Sequence, residues 1–194
     1  MSLGVGFADP VLDSQRAFRS VLDALAHPGR IATLSGPEAP PPPLSPAATA
    51  VCLTLLDFET PLWLDARAAS AEARNYLRFH CGVPLVDSPG DGRFALMADA
   101  ASMPSLNTFD AGTDERPDHS ATLIIQVGAL HAGRGRRLIG PGIDGEARLE
   151  VEGVLPGFWD AVRANAARFP RGVDLLLCAG HQLAALPRTT RVEG

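Results

Sequence analysis

Gly140-Pro141-Gly142-Ile143-Asp144-Gly145 has the spacing G-x-G-x-x-G, in which backbone amides and a following helix N-terminus receive a dinucleotide pyrophosphate. That chemistry needs the helix. The next residues, Glu146 to Val151, instead alternate polar and apolar like a strand, so the six residues are expected to form a turn. Cys178-Ala179-Gly180-His181 and His80-Cys81 carry soft ligand atoms. No second C-x-x-C or H-x-x-H pair completes the four ligands of a zinc site, so buried core cysteine and a turn histidine are expected. The hydrolase elbow G-x-S-x-G and the zincin motif H-E-x-x-H do not occur. A cysteine nucleophile would need His27, His80, His119, His131 or His181 beside a thiol as its base.

Two arginine groups offer anion chemistry. Arg134, Arg136 and Arg137 form one. Arg188-Thr189-Thr190-Arg191 joins two guanidinium forks to two hydroxyls, a set able to hold phosphate oxygens. Surface ion pairing is the ordinary use of such arginines, and Arg188, Thr189, Thr190 and Arg191 are the strongest phosphate-binding candidates in a weak set. Asp114, Glu115, Asp118 and His119 hold acid and base groups, but their loop-like setting predicts a solvated charge cluster. No catalytic residue and no metal site emerges from the motifs.

These residues must be positioned by a chain whose periodicity changes repeatedly. From Pro10 to Ala26 the residues Phe18, Val21, Leu22 and Leu25 fall on one helical face, and His27-Pro28-Gly29 ends that helix before the apolar run Ile31 to Leu34. Six prolines between residues 36 and 46 predict an exposed extended loop within one 1–194 domain, or alternatively a proline-rich ligand for another protein. Ser45-Pro46 then opens a largely buried second helix, and a third is expected from Ser70 to Phe79. Strands are expected at Leu62 to Leu64, Val83 to Val86, Phe94 to Met97, Ala121 to Val127, Arg136 to Ile139, Leu149 to Val151, Val173 to Cys178 and Leu183 to Leu186. A helix from Pro156 to Phe169 interrupts them. The near-continuous apolar runs at 121–127 and 173–178 suit strands covered on both faces, so the fold class is α/β, a mixed sheet flanked by helices.

Composition narrows the function. The 194 residues are 46% hydrophobic and 20% charged, as in a soluble globular domain, and the net charge of -5 does not favour a nucleic-acid partner. No apolar run is long enough to span a bilayer, and Met1 to Pro10 lacks the features of a signal peptide, so a cytoplasmic, membrane-free protein is expected. The three scattered cysteines predict reduced thiols rather than disulfides. All seventeen basic residues are arginine, which leaves no lysine for a Schiff base with pyridoxal phosphate, for a standard P-loop, or for a general base.

An ordered set of blocks resembles the PhnH family over nearly the whole length. They are Asp13-Ser14-Gln15-Arg16-Ala17-Phe18-Arg19, His27-Pro28-Gly29, Leu53-Thr54-Leu55-Leu56-Asp57, and Thr60-Pro61-Leu62-Trp63-Leu64. Further on come Leu77-Arg78-Phe79-His80, Pro84-Leu85-Val86, Gly112-Thr113, and the run from Ala121 to Val127. The last two are Phe169-Pro170-Arg171-Gly172-Val173-Asp174 and the closing Leu186-Pro187-Arg188-Thr189-Thr190-Arg191-Val192-Glu193. The resemblance implies a subunit of the carbon-phosphorus lyase core complex, in which PhnG, PhnH, PhnI and PhnJ associate. That complex forms ribose 1-methylphosphonate 5-triphosphate from ATP and alkylphosphonate. The resemblance associates nucleosidase activity with PhnI and iron-sulfur radical chemistry with PhnJ, whose cluster needs cysteine ligands absent from this chain. It also implies a reduced pyridoxal-phosphate transferase fold without the cofactor, a structural or interaction role, and a homodimer when the chain is alone. The competing expectation is an independent small-molecule enzyme or binding protein that takes phosphate or phosphonate through Arg188, Thr189, Thr190 and Arg191.

Overall fold

The computed structural model describes residues 4–193. Helix α1 spans Pro10–Ala26, and the Asp9 carboxylate caps it by accepting the amides of Val11 and Leu12 at 3.1 and 3.0 Å. β1 (Ala32–Thr33) leads to α2 (Pro46–Leu55), whose Ser45 cap accepts from the Ala48 amide at 3.3 Å. β2 (Leu62–Leu64), α3 (Ala71–Cys81), β3 (Leu85–Val86) and β4 (Phe94–Met97) follow, and Gly82 ends α3 with a left-handed φ of 65°. Three short 3-10 turns then precede β5 (Thr122–Gln126). The hairpin β6 (Ala129–Ile139) and β7 (Ala147–Glu152), α4 (Phe158–Ala166), β8 (Asp174–Ala179), β9 (Gln182–Leu186) and β10 (Arg191–Glu193) complete the chain.

Seven strands form one mixed sheet in the order β1-β9-β8-β5-β4-β2-β3; β3, β2, β4, β5 and β8 are parallel, while β9 runs against β8 and β1 against β9. The two-residue alternation of the strands divides the interior into two cores. Leu96, Ile124, Leu176 and Leu183 face α1, α2 and α3. Met97, Leu123, Ile125, Leu175 and Leu177 face the other way, toward α4 and a second sheet of order β10-β6-β7. The α/β mixed-sheet expectation therefore holds, but one side of the sheet is covered largely by strands rather than helices alone. That second sheet supplies Leu130, Leu138, Leu149, Val151 and Val192 to the core.

Two other expectations change. The proline-rich segment is not simply an exposed loop, because Pro37, Pro41 and Leu44 are buried. The carbonyls of Pro42 and Pro43 accept hydrogen bonds from Ser70 Oγ at 2.9 Å and Gln126 Nε2 at 3.2 Å. On α1 the core-facing side chains are Ala17, Val21 and Ala24, while Phe18 and Leu22 look outward. Small residues on that face let α1 lie close against the alanine-rich start of α2, and the bulkier neighbours are turned away from the core.

Candidate functional site

The parallel strands set out where a ligand would sit. The chain runs from β2 outward to β3, then returns to the far side of β2 for β4 and continues to β5 and β8, so the direction of winding reverses between β2 and β4. In open α/β sheets ligands bind beyond the carboxyl ends of the strands at such a reversal. A cleft of about 400 Å³ lies there, lined among others by Ser45, Arg67, Asp99, Gln126, Gly128 and Gly180.

Most polar groups around this cleft are engaged with one another. Asp65, directly after β2 and only 5% exposed, accepts the Ala68 amide at 2.6 Å and the Asp99 amide at 3.1 Å, tying the end of β2 to the end of β4. A buried carboxylate needs such donors. Gln126, at the end of β5, accepts from the Ser45 amide and donates to the Pro43 carbonyl. The start of α2 is satisfied as well: Pro46 has no N–H, Ala47 donates to the Gly180 carbonyl at 2.9 Å, Ala48 to Ser45 Oγ, and Thr49 to the Ser45 carbonyl at 2.9 Å. The anion-binding capacity of a helix N-terminus rests on unsatisfied amides, and here they are taken. Arg67 is the cationic group left at the rim, exposed and without an ion pair among the described residues.

Nucleophilic chemistry is no better supported. Cys178 lines the cleft, but burial pushes its thiol up to about 12. Burial also raises Cys81 to about 12 and holds Cys52 well above its ordinary value, with the neighbouring Cys81 and Cys178 adding to the rise. All three stay protonated near neutral pH and lack the thiolate that attacks. The histidines nearest to them in sequence are engaged with backbone carbonyls: His181 Nδ1 lies 3.3 Å from the Leu34 carbonyl and His80 Nε2 2.9 Å from the Gly4 carbonyl. His27 pairs with Asp23 at 3.1 Å, His131 with Glu152 at 2.8 Å, and His119 lies against Arg116 and Asp118. Among the described residues, no group of three or more His, Cys, Asp and Glu side chains converges to hold a metal ion. The charge cluster near residue 115 is solvent-facing; Arg116 bonds Asp118 and holds its carboxyl below the ordinary range, while Arg171 meets Asp114 at 3.3 Å.

The four phosphate-binding candidates lie away from this cleft. Arg188 places Nε and Nη2 on the two oxygens of Asp174 at 3.1 and 2.5 Å, adds its own amide to Oδ1 at 2.8 Å, and donates Nη1 to the Pro117 carbonyl at 2.6 Å. The fork is thus filled by a carboxylate of the same chain. Thr190 is buried, with a hydroxyl that has no hydrogen-bond partner among the described residues. Thr189 packs under the β6–β7 turn, where its carbonyl would lie 2.9 Å from a Cβ added at Gly140. Arg191 is exposed on β10. The glycine-rich motif is the turn between antiparallel β6 and β7, so it leads into a strand and not a helix. Arg134 and Arg137 form cross-strand ion pairs with Glu150 and Glu146 at 2.6 and 2.5 Å.

A family model described as bacterial phosphonate metabolism protein (PhnH) matches residues 5–193. The chain belongs to the PhnH family. It is 42% identical over 187 residues to the alpha-D-ribose 1-methylphosphonate 5-triphosphate synthase subunit PhnH of Rhizobium meliloti (strain 1021), covering 96% of this chain and 94% of that protein. It is also 35% identical over 193 residues to the putative C-P lyase subunit protein HtxG of Stutzerimonas stutzeri, covering 92% and 85% of the two chains. In this PhnH-family chain, the cleft residues Arg67, Asp99 and Gln126, and Asp65, which accepts the Asp99 amide, carry no motif of their own. The one sequence signal is that each closely follows or ends a predicted strand, while the strand order that brings them together is a property of the fold.

Proposed function

We propose that this chain is a subunit of the carbon-phosphorus lyase core complex, working in phosphonate catabolism within the assembly that forms ribose 1-methylphosphonate 5-triphosphate. The observation that carries this reading is the near full-length match to a synthase subunit at 42% identity. Its partners are PhnG, PhnI and PhnJ, its setting is the cytoplasm, and alone it associates with a second copy. Its contribution is architectural rather than catalytic. What supports that role is the carboxyl edge of the sheet, where Asp65, Gln126 and the start of α2 consume one another's hydrogen-bonding capacity.

The sheet is, in this reading, a reduced relative of the pyridoxal-phosphate transferase fold. The cofactor does not fit the residues present: there is no lysine to bind it covalently, and the α2 amides that could cradle its phosphate are engaged. Co-expression of the tagged chain with PhnG, PhnI and PhnJ, followed by affinity purification and gel filtration, tests the assignment. A stoichiometric assembly is expected. Recovery of this chain alone would sink it and direct attention to ligand binding around Arg188, Thr189, Thr190 and Arg191.

A further inference from the structure

Two aspartates of the chain are followed by glycine, in Asp91-Gly92 and Asp144-Gly145. Such a pair can rearrange its own main chain, because the glycine amide nitrogen approaches the preceding side-chain carboxyl with no Cβ in the way. The local fold decides whether the two atoms meet, and it treats the two pairs differently.

Asp144 and Gly145 lie at the tip of the β6–β7 hairpin, and both are exposed. Neither makes a hydrogen bond or ion pair among the described residues. Nothing lies within 4 Å of a Cβ added at Gly145, and Asp144 lines an open hollow of about 350 Å³ that admits water. The chain is anchored just to either side, where the Ile143 amide donates to the Gly140 carbonyl at 3.2 Å and Ala147 pairs with Leu138, so mobility concentrates in the two residues between. Asp91 is exposed as well, but Gly92 is buried. A Cβ at Gly92 would lie 2.7 Å from the Phe94 carbonyl oxygen and 3.2 Å from the Trp63 nitrogen. The segment is also held by the Asp91 amide on the Ser88 carbonyl at 3.1 Å and the Arg93 amide on the Pro61 carbonyl at 2.8 Å.

We propose that Asp144-Gly145 is a modification site at which the folded protein converts aspartate to isoaspartate. The Gly145 nitrogen attacks Cγ of the protonated Asp144 carboxyl; the new C–N bond closes a succinimide, and the carboxyl hydroxyl leaves with the amide hydrogen as water. Water then adds back. Opening at Cγ restores aspartate, whereas opening at the main-chain carbonyl carbon routes the chain through Cβ and leaves a free α-carboxylate. The net change is an isomerisation that needs no oxidant or reductant. The extra main-chain methylene falls between the two anchors of the tip, beside Gly142, where an added Cβ would lie 1.9 Å from the Ala26 carbonyl oxygen. The freed α-carboxylate is also the group that an S-adenosylmethionine-dependent isoaspartyl methyltransferase esterifies, which makes Asp144 an acceptor for an enzyme of that class.

The test ages the full chain in warm neutral buffer, native and in urea, and digests it with trypsin. Cleavage after arginine releases Leu138–Arg148 for Asp144 and Phe79–Arg93 for Asp91. Electron-transfer fragmentation distinguishes isoaspartate from aspartate in each peptide, and methyl transfer from labelled S-adenosylmethionine by a purified isoaspartyl methyltransferase counts the sites independently. Native protein should accumulate at least about tenfold more isoaspartate at 144 than at 91, because ring closure at Asp91 first requires a buried segment to open. Urea should bring the two sites to comparable levels. Asp144→Glu, at an exposed position, should abolish most of the methyl acceptance of aged native protein while leaving its melt unchanged. Native protein that stays unmodified at 144 while the urea sample reacts would mean that the hairpin tip protects the pair, and the proposal fails. Equal modification at 144 and 91 in native protein would overturn it too, since the fold would then select neither.

Discussion

Replacing Asp174 with alanine removes the carboxylate on which Arg188 is built, and the structure sets the scale of the loss. Their side chains are 14% exposed for Arg188 and 22% for Asp174, and three hydrogen bonds join the two residues. Without Asp174 the guanidinium keeps only the Pro117 carbonyl at 2.6 Å. Breaking a fully buried ion pair from one side costs about 3–5 kcal/mol, and the partial exposure here brings the expectation to about 3 kcal/mol. For a domain of this size that corresponds to a fall in Tm of roughly 6–12 °C. Arg188→Ala should cost less, about 2 kcal/mol, because water reaches the stranded Asp174 more readily than the stranded Arg188.

Urea titration followed by circular dichroism measures both variants and the double variant Asp174→Ala/Arg188→Ala. If the pair acts as a clasp, the double variant loses less than the sum of the singles, with a coupling of about 1 kcal/mol or more. The same melts with millimolar methylphosphonate or phosphate probe the alternative use of the fork, since a ligand bound only by the folded state raises stability. A loss below ~1 kcal/mol for Asp174→Ala would refute the clasp. So would a methylphosphonate-dependent rise in Tm that appears in the wild type and vanishes in Arg188→Ala.

Other perturbations reach the remaining contacts. At Gly142, where φ is 81°, an added Cβ would sit 1.9 Å from the Ala26 carbonyl oxygen, whereas at Gly145, with φ of 71°, nothing lies within 4 Å. Gly142→Ala should therefore cost about 3 kcal/mol or more in a urea melt and Gly145→Ala about 1 kcal/mol; equal losses would mean that the hairpin tip does not dock on α1. The cysteine thiols are held protonated by burial in the folded chain and ionise more easily when unfolded, so their contribution to stability is intact below about 9 and is lost as pH rises from there toward about 12. Melts across that range should show stability falling, and a native protein whose three thiols react with a disulfide reagent at neutral pH as fast as the unfolded chain would contradict the burial. Purified protein should show no pyridoxal absorbance, and a stoichiometric band removed by borohydride would overturn the misfit of that cofactor.

Much of the framework is legible in local pattern. α1, β2 and β4 have the bounds that periodicity and turn residues predict, because each is a regular run with clear stops. β6 is legible only at its end, from Arg136 to Ile139. Its earlier half contains Gly133-Arg134-Gly135, where the register with β7 shifts, and its outward side chains are solvated. With few apolar residues showing alternation, the segment does not read as a strand, and the second sheet stays hidden in the sequence. The reverse holds on α1, where Phe18 and Leu22 lie at core-like spacing yet face outward. Hydrophobic periodicity identifies a face that wants cover without saying whether the same chain provides it.

The arginine fork at residue 188 shows the same limit in polar form. Its chemistry is visible in the sequence, but its partner Asp174 lies fourteen residues away at the start of another strand. What the fold adds is that anions to match these donors are already present. Asp65 takes the amides at the ends of β2 and β4, Asp174 takes Arg188, and Glu150 and Glu146 take arginines of β6. A free phosphate would have to displace a tethered carboxylate in each place, against the effective concentration that tethering gives. The uncovered features lie elsewhere, as apolar side chains such as Phe18 and Leu22 on α1 and Phe58, Phe79 and Phe169 beyond it. A fork already filled by a carboxylate of its own chain is a clasp of the fold, and that is why variants at Arg188 should change how hard the protein is to melt.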